Sequence, residues 1–284
     1  MTSSKIKETI LHILFALCAC MSILAVITIC VYLFASGVPA IAKIGLGEFL
    51  FGTKWKPSSG YFGILPMIAG SAMVTGIAML VGVPLGVLCA VFMSHYCPKP
   101  LYRFVKPAIN LLAGIPSIVY GFFGLVVIVP AMKELFGSGK SILTAGILLG
   151  IMILPTIIKT SESALNAVPR SYYEGSMALG ATHERSVFFA SLPAAKSGIL
   201  AAIILGMGRA IGETMAVVMV AGNQAKLPES ITDGVRTLTS NIVLEMGYAS
   251  GLHREALIAT AVVLFVFILL INLCFSALKR RSEQ

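Results

Sequence analysis

SYYEGSMALGATHERSVFFASLP, residues Ser171 to Pro193, is a polar stretch set between apolar blocks. Pro169 blocks continuation of any helix before it, Ser171 is placed to cap a new one, and Glu174 three residues on can bond back to the cap nitrogen. Gly180 suits the left-handed position that ends such a helix, and Thr182 can cap a second one running toward Leu192 and Pro193. The expected product is a compact helix-turn-helix too polar to cross a bilayer.

The blocks around it belong in a membrane. Of 284 residues, 57% are hydrophobic and only 12% charged, with a mean hydropathy of +0.94, far from the balance of a water-soluble domain. The net charge of +9 does not indicate nucleic acid, because the basic residues sit at helix ends with no aromatic-interleaved patch. Cys18, Cys20, Cys30, Cys89 and Cys274 lie within apolar runs and Cys97 at an edge, a pattern expected of small buried hydrophobes and not of metal ligands. The first apolar run exceeds the roughly 7–15 residue core of a cleavable signal, so it is expected to remain as a membrane helix.

Six spans are expected, at Ile10–Phe34, Ile64–Phe92, Ile109–Met132, Ile142–Ile158, Ser197–Val220 and Ala256–Leu278, giving an all-α membrane protein. Residues 1–62 would form a first helix and external loop, and residues 63–280 a transmembrane domain carrying the polar loop at 160–196. Lys5, Lys7, Lys99, Arg103, Lys106, Lys159, Arg170, Arg185, Lys196, Lys279, Arg280 and Arg281 fall on the side of both termini. The opposite loops carry fewer basic residues, so the termini and the polar loop are expected in the cytoplasm. Pro66, Pro84, Pro116 and Pro155 interrupt spans, and Gly82/Gly86, Gly146/Gly150 and Gly208/Gly212 have the spacing that permits close helix contact. In the outer loops Ala35–Gly63 and Ala221–Glu255, Trp55 and Tyr61 are expected at the lipid interface, and Pro228, Asp233 and Arg236 in a turn or short helix.

FGSGKS at Phe136–Ser141 ends like a phosphate-binding loop, but Glu134 stands where its first glycine belongs and no strand precedes it, so it reads as a turn. His183-Glu184 opens a zinc-protease pattern that Val187 breaks. The fifth span is more informative. GMGRAIGET, residues 206–214, places Arg209 and Glu213 four apart in an apolar run. Each charge costs roughly 2.5–3.5 kcal/mol at a helix centre, while a Leu, Ile or Val returns only about 0.3–0.6 kcal/mol. The two are therefore expected on one helical face, turned to the bundle interior as structural glue or as a substrate site.

From Glu174 the chain follows the pattern E-A-A-x3-G-x9-I-x-L-P, with Gly175 and Ser176 in place of the alanines, Ala190 in place of the isoleucine, and Gly180, Leu192 and Pro193 as in the pattern. This stretch resembles the coupling loop of ATP-binding-cassette importer permeases, which implies a type I importer fold and docking of Glu174, Gly175, Ser176, Gly180, Leu192 and Pro193 on a separate ATPase. YFGILP (Tyr61–Pro66), LLAGIPSIVYGFFGLVVIVP (Leu111–Pro130), ILPTIIKTSESALNAVPRSYYEGSMALGAT (Ile153–Thr182) and GMGRAIGETMAVVMVAGN (Gly206–Asn223) look like the phosphate-specific permease family, nearer its PstC-type than its PstA-type subunit. The resemblance implies a PstA-type permease partner, a pair of PstB-type ATPases, a PstS-type external binding protein, and no cofactor or catalysis in the chain itself. Arg209 would contact the anion, because its planar fork stays charged when buried. Glu213 would either hold Arg209 or accept a hydrogen bond from the proton that phosphate carries and sulfate lacks; with the pair as glue, Ser117 and Tyr120 would line the site instead. A PstA-type subunit, a permease for molybdate or sulfate, and a secondary anion transporter remain the alternatives.

Overall fold

The computed structural model describes the backbone of residues 2–282 and the side chains of residues 8–274 and 277. Lys5, Lys7, Lys279, Arg280 and Arg281, used above for topology, have side chains outside that set. Helix α1 (Thr2–Ile44) is longer than expected at both ends, and its apolar residues from Ile10 to Ile29 are exposed throughout. Such a surface is stable only where the surrounding solvent is hydrocarbon. Cys18 and Cys20 share that exposure, as does Cys274, and the other three cysteines are half-buried, so the thiols are not the core residues expected. Toward its C-terminal end α1 packs on the last helix, with the Phe34 and Phe265 rings edge to face at 5.8 Å.

After α2 (Leu46–Phe51), a two-residue antiparallel hairpin pairs Trp55 with Phe62 and Lys56 with Tyr61. Helix α3 (Leu65–Val91) follows, extended by a wider π-type turn over Phe92–Tyr96. The third expected span is in fact two pieces. Helix α4 (Lys99–Gly114) stops before Pro116, because proline pushes the preceding Ile115 into extended backbone. Then α5 (Ser117–Phe123), a π-type turn and α6 (Val129–Phe136) form an apolar stretch long enough to cross. In α4, Phe104 and Leu111 are exposed while Ile109 is buried, so the helix presents an apolar surface of its own.

Gly137, left-handed at φ 75°, closes α6, and Ser141 caps α7 (Ile142–Asn166) by accepting from the Thr144 amide. FGSGKS is thus a turn between helices. α8 (Arg170–Ala178), α9 (His183–Ser186) and α10 (Leu192–Ala194) form the polar loop. α11 (Lys196–Gly212), α12 (Met215–Val220), α13 (Leu238–Met246) and α14 (Gly251–Ser282) complete the chain. Among the described residues five helices are long and apolar enough to cross, and a sixth crossing arises if His183–Ala194 and Lys196–Gly212, bent by 69° to each other, count as one.

The centre of the bundle is the contact between α3 and α7, built from their glycines. A Cβ on Gly82 or Gly86 would lie within 2.8 Å of Ile153 or Ile157, and one on Gly146 would lie 2.5 Å from Ile77. With no hydrophobic drive between helices in lipid, this backbone approach supplies the van der Waals contact that holds the pair. Gly208 and Gly212 have the same spacing and meet nothing within 4 Å. Their face is open.

Candidate functional site

The polar loop forms the helix-turn-helix expected, with one correction. Pro169 holds the cap position of α8 and Ser171 lies inside the helix, so the Ser171–Glu174 capping box is absent; proline at φ −57° already pre-sets the first turn. Gly180 has φ 86°, its amide bonds the Met177 carbonyl, and the Ala181 amide bonds the Ser176 carbonyl, which closes α8. Thr182 then caps α9 by accepting from the Arg185 amide at 3.3 Å. Ser186 Oγ donates to Ser176 Oγ at 3.0 Å, and Tyr173 Oη lies 2.7 Å from His183 Nδ1, so the two arms are fastened to each other. Glu174, Gly175 and Pro193 are exposed and Leu192 is half-buried. At the turn Leu179 is 91% exposed, and Tyr172 and Met177 of α8 are exposed too. A cleft of about 570 Å³ is lined by Ser94, His95, Asn166, Tyr173, Glu174 and His183.

Within the membrane, Arg209 and Glu213 do not share a helical face. α11 stops at Gly212, Glu213 is extended at ψ 133°, and α12 starts afresh at Met215. The Glu213 carboxylate accepts from the Ala216 amide at 3.1 Å, and Thr239 Oγ1 donates to the Glu213 carbonyl at 3.0 Å. A carboxylate that satisfies a free amide at the start of a helix favours ending the first helix over continuing it. Arg209 instead donates to Thr156 Oγ1 of α7 at 3.3 Å, and no ion pair joins it to Glu213 among the described residues. Beside it lie the open glycines 208 and 212.

Tyr120 is buried and donates to the Leu112 carbonyl at 2.8 Å across the Pro116 break. Its helix packs against α12, where a Cβ on Gly121 would sit 2.9 Å from Ala216. Ser117, a turn earlier in α5, is half-buried and on the same side as Tyr120 and Gly121. The structure therefore packs the helix that carries Tyr120 against α12, whose start Glu213 holds, and leaves Arg209 one turn before that break.

Three groups were not singled out from the sequence. Thr156, the partner of Arg209, is one hydroxyl among many. Glu162, 1% exposed, receives Lys106 Nζ at 2.7 Å on each oxygen and Tyr102 Oη at 2.6 Å; its signal was a lone acid continuing an apolar helix. Burial opposes the charge on Lys106, but its bonds to Glu162 and Tyr102 outweigh that and hold its pKa above the ordinary lysine value. In a separate cluster, Glu245 accepts from Trp55 Nε1 and lies against His253 Nε2, both at 2.8 Å, and pairs with Arg236. Trp55 is therefore a buried part of this latch and not the interfacial anchor expected, while Tyr61 is 48% exposed.

The family described as the binding-protein-dependent transport system inner membrane component matches residues 82–284. The chain belongs to this family. Among relatives of this transport system, the probable ABC transporter permease protein YqgH of Bacillus subtilis (strain 168) is 41% identical over 267 residues, covering 90% of this chain and 86% of that protein. The phosphate transport system permease protein PstC of Mesorhizobium japonicum is 34% identical over 265 residues, covering 86% and 81%. In fold, the chain is similar to a bacterial alginate ABC transporter solved with its periplasmic protein, at TM-score 0.66, 16% identity and 93% and 94% coverage. It is also similar to the inward-facing MetNI methionine ABC transporter, at TM-score 0.59, 23% identity and 81% and 100% coverage. The architecture is that of a type I importer permease: an all-α, multi-pass membrane subunit of the binding-protein-dependent class.

Proposed function

We propose that the chain is the PstC-type permease subunit of an ATP-driven importer of inorganic phosphate. The observation that carries the reading is the Arg209 guanidinium, half-buried with one hydroxyl partner among the described residues and beside an open glycine face, in a chain 34% identical to a PstC protein. A planar fork with uncommitted donors suits the oxygens of a tetrahedral anion. Glu213 uses one carboxylate oxygen for the Ala216 amide, which leaves the other to accept a hydrogen bond from the hydroxyl of a monobasic or dibasic phosphate. Ser117 and Tyr120 complete the wall on α5.

The Arg170–Ala178 helix and its exposed Leu179 support docking on a PstB-type ATPase pair in the cytoplasm, which puts both termini there. A PstA-type permease would close the other half of the pathway against the open Gly208/Gly212 face, and a PstS-type binding protein would deliver phosphate to the opposite side. In this reading residues 63–280 form the permease unit, and residues 1–62 add the lipid-facing first helix and the outer hairpin. Reconstitution of the chain with these three partners in liposomes tests it. ATP-dependent uptake of labelled phosphate, resistant to excess sulfate and molybdate, is expected; uptake that molybdate or sulfate competes away assigns the permease to another oxyanion.

A further inference from the structure

Glu162 stands four residues before the end of α7, on the helix that leads into the coupling element. Its carboxylate is buried and its three hydrogen bonds all come from α4, two from Lys106 and one from Tyr102. Lys106 also donates to Tyr102 Oη at 3.1 Å, so the three groups form a closed triangle. The same side of α4 buries Ile109 against a cluster that includes Val91, Ile158, Leu165, Val187 and Ile199. At its far end α4 is tied again, because Tyr120 of α5 bonds the Leu112 carbonyl across the Pro116 break. α5 in turn touches α12 backbone to backbone at Gly121 and Ala216, the residue whose amide Glu213 holds. The chain of contacts is continuous from the coupling element to the intramembrane site.

We propose that the Glu162–Lys106–Tyr102 triangle is a rigid joint that makes α4 move as one body with the coupling end of α7. Displacement of Arg170–Ala178 by the ATPase is then delivered through α4 to the Pro116 break and the wall of the pathway. This inference rests on the importer reading above. A buried carboxylate with all its partners on one neighbouring helix resists separation, since parting the two elements leaves a charge unpaired in a region of low polarity. Glu162 and Lys106 are positioning residues in this scheme and touch no substrate.

The test uses the whole importer in liposomes, with phosphate-loaded binding protein and ATP. Glu162→Gln and Lys106→Met should each lower phosphate moved per ATP hydrolysed by roughly three- to thirtyfold, the range expected when a residue in a coupling network is lost. The exchanged pair Lys106→Glu/Glu162→Lys should recover at least part of that ratio. Single variants that lower only the yield or melting temperature, with the ratio unchanged, would show the triangle to be structural and overturn the proposal. A second measurement needs no change at the triangle: spin labels at the exposed positions Arg103 and Ser163, on a background without native cysteines, should keep one separation in the resting and nucleotide-trapped complexes. A separation that changes between states means that α4 slides on α7, and the joint is refuted. Failure of the importer reading itself would show elsewhere, as an unaltered complex whose ATPase does not respond to phosphate-loaded binding protein.

Discussion

The guanidinium of Arg209 meets one hydroxyl among the described residues, that of Thr156 at 3.3 Å, so most of its five donors are free for a ligand. Arg209→Lys retains the charge and loses the fork. Phosphate uptake by the assembled complex is expected to fall roughly tenfold or more, as for loss of one hydrogen bond to a charged group, about 1.5–3 kcal/mol, with assembly unchanged. On the proposed function Glu213 has two roles that substitution can separate. Glu213→Gln still offers an acceptor to the Ala216 amide and so should keep the helix break, while discrimination of phosphate from sulfate weakens. Glu213→Ala removes the cap as well and should cost about 1 kcal/mol of stability. If the Arg209→Lys and Glu213→Gln variants both transport phosphate normally with unchanged selectivity, the anion site lies elsewhere on the pathway.

Elements in this chain are fastened by backbone geometry as much as by side chains. Gly180 sits at φ 86°, where an L side chain costs about 1–2 kcal/mol and proline cannot go. Gly180→Pro should therefore break the turn between α8 and α9: basal ATPase activity of the complex persists, and its stimulation by loaded binding protein is lost. The glycine pairs give a sharper contrast. Gly146→Ala pushes a methyl to 2.5 Å from Ile77 and should destabilise the α3–α7 contact by about 1–3 kcal/mol, whereas Gly208→Ala, with no neighbour inside 4 Å and a better helix former in place, should keep or slightly raise the melting temperature of the purified chain. The Glu245 latch joins the hairpin, the loop before α13 and the start of α14. Burial raises the Glu245 pKa, but hydrogen bonds from Trp55, His253 and Arg236 outweigh it and leave the carboxyl below the ordinary glutamate value. A depressed value means the latch contributes fully above about pH 4.3, the unperturbed figure, and is lost as pH falls through the lower folded value. Trp55 is the sole tryptophan, so its emission should hold steady through weak acid and shift red below that range, and Glu245→Gln should abolish the transition.

For the whole molecule, topology is the property on which docking depends. In a background without native cysteines, Ser230→Cys on the exposed outer loop should react with an impermeant thiol reagent from outside, and Ala178→Cys on the polar loop should react only after the membrane is opened. The reverse pattern would place the polar loop away from the ATPase. The crossings, the polar loop between them and its glycine turn were legible in the chain because each depends on local terms: transfer of a run of side chains to hydrocarbon, or the φ that one residue can adopt. The glycine spacings were legible too, but not their meaning, since Gly146/Gly150 and Gly208/Gly212 read alike while one pair meets a helix and the other an open face. Tertiary structure alone decided where α11 breaks, because the choice between continuing the helix and capping a new one turns on Thr239 and Ala216 holding Glu213 from outside α11. It alone chose the partner of each buried charge, pairing Glu162 with Lys106 across 56 positions and Glu245 with Trp55 across 190. A carboxylate removed from water takes whichever donors the packed helices bring within about 3 Å, and sequence distance places no limit on which those are.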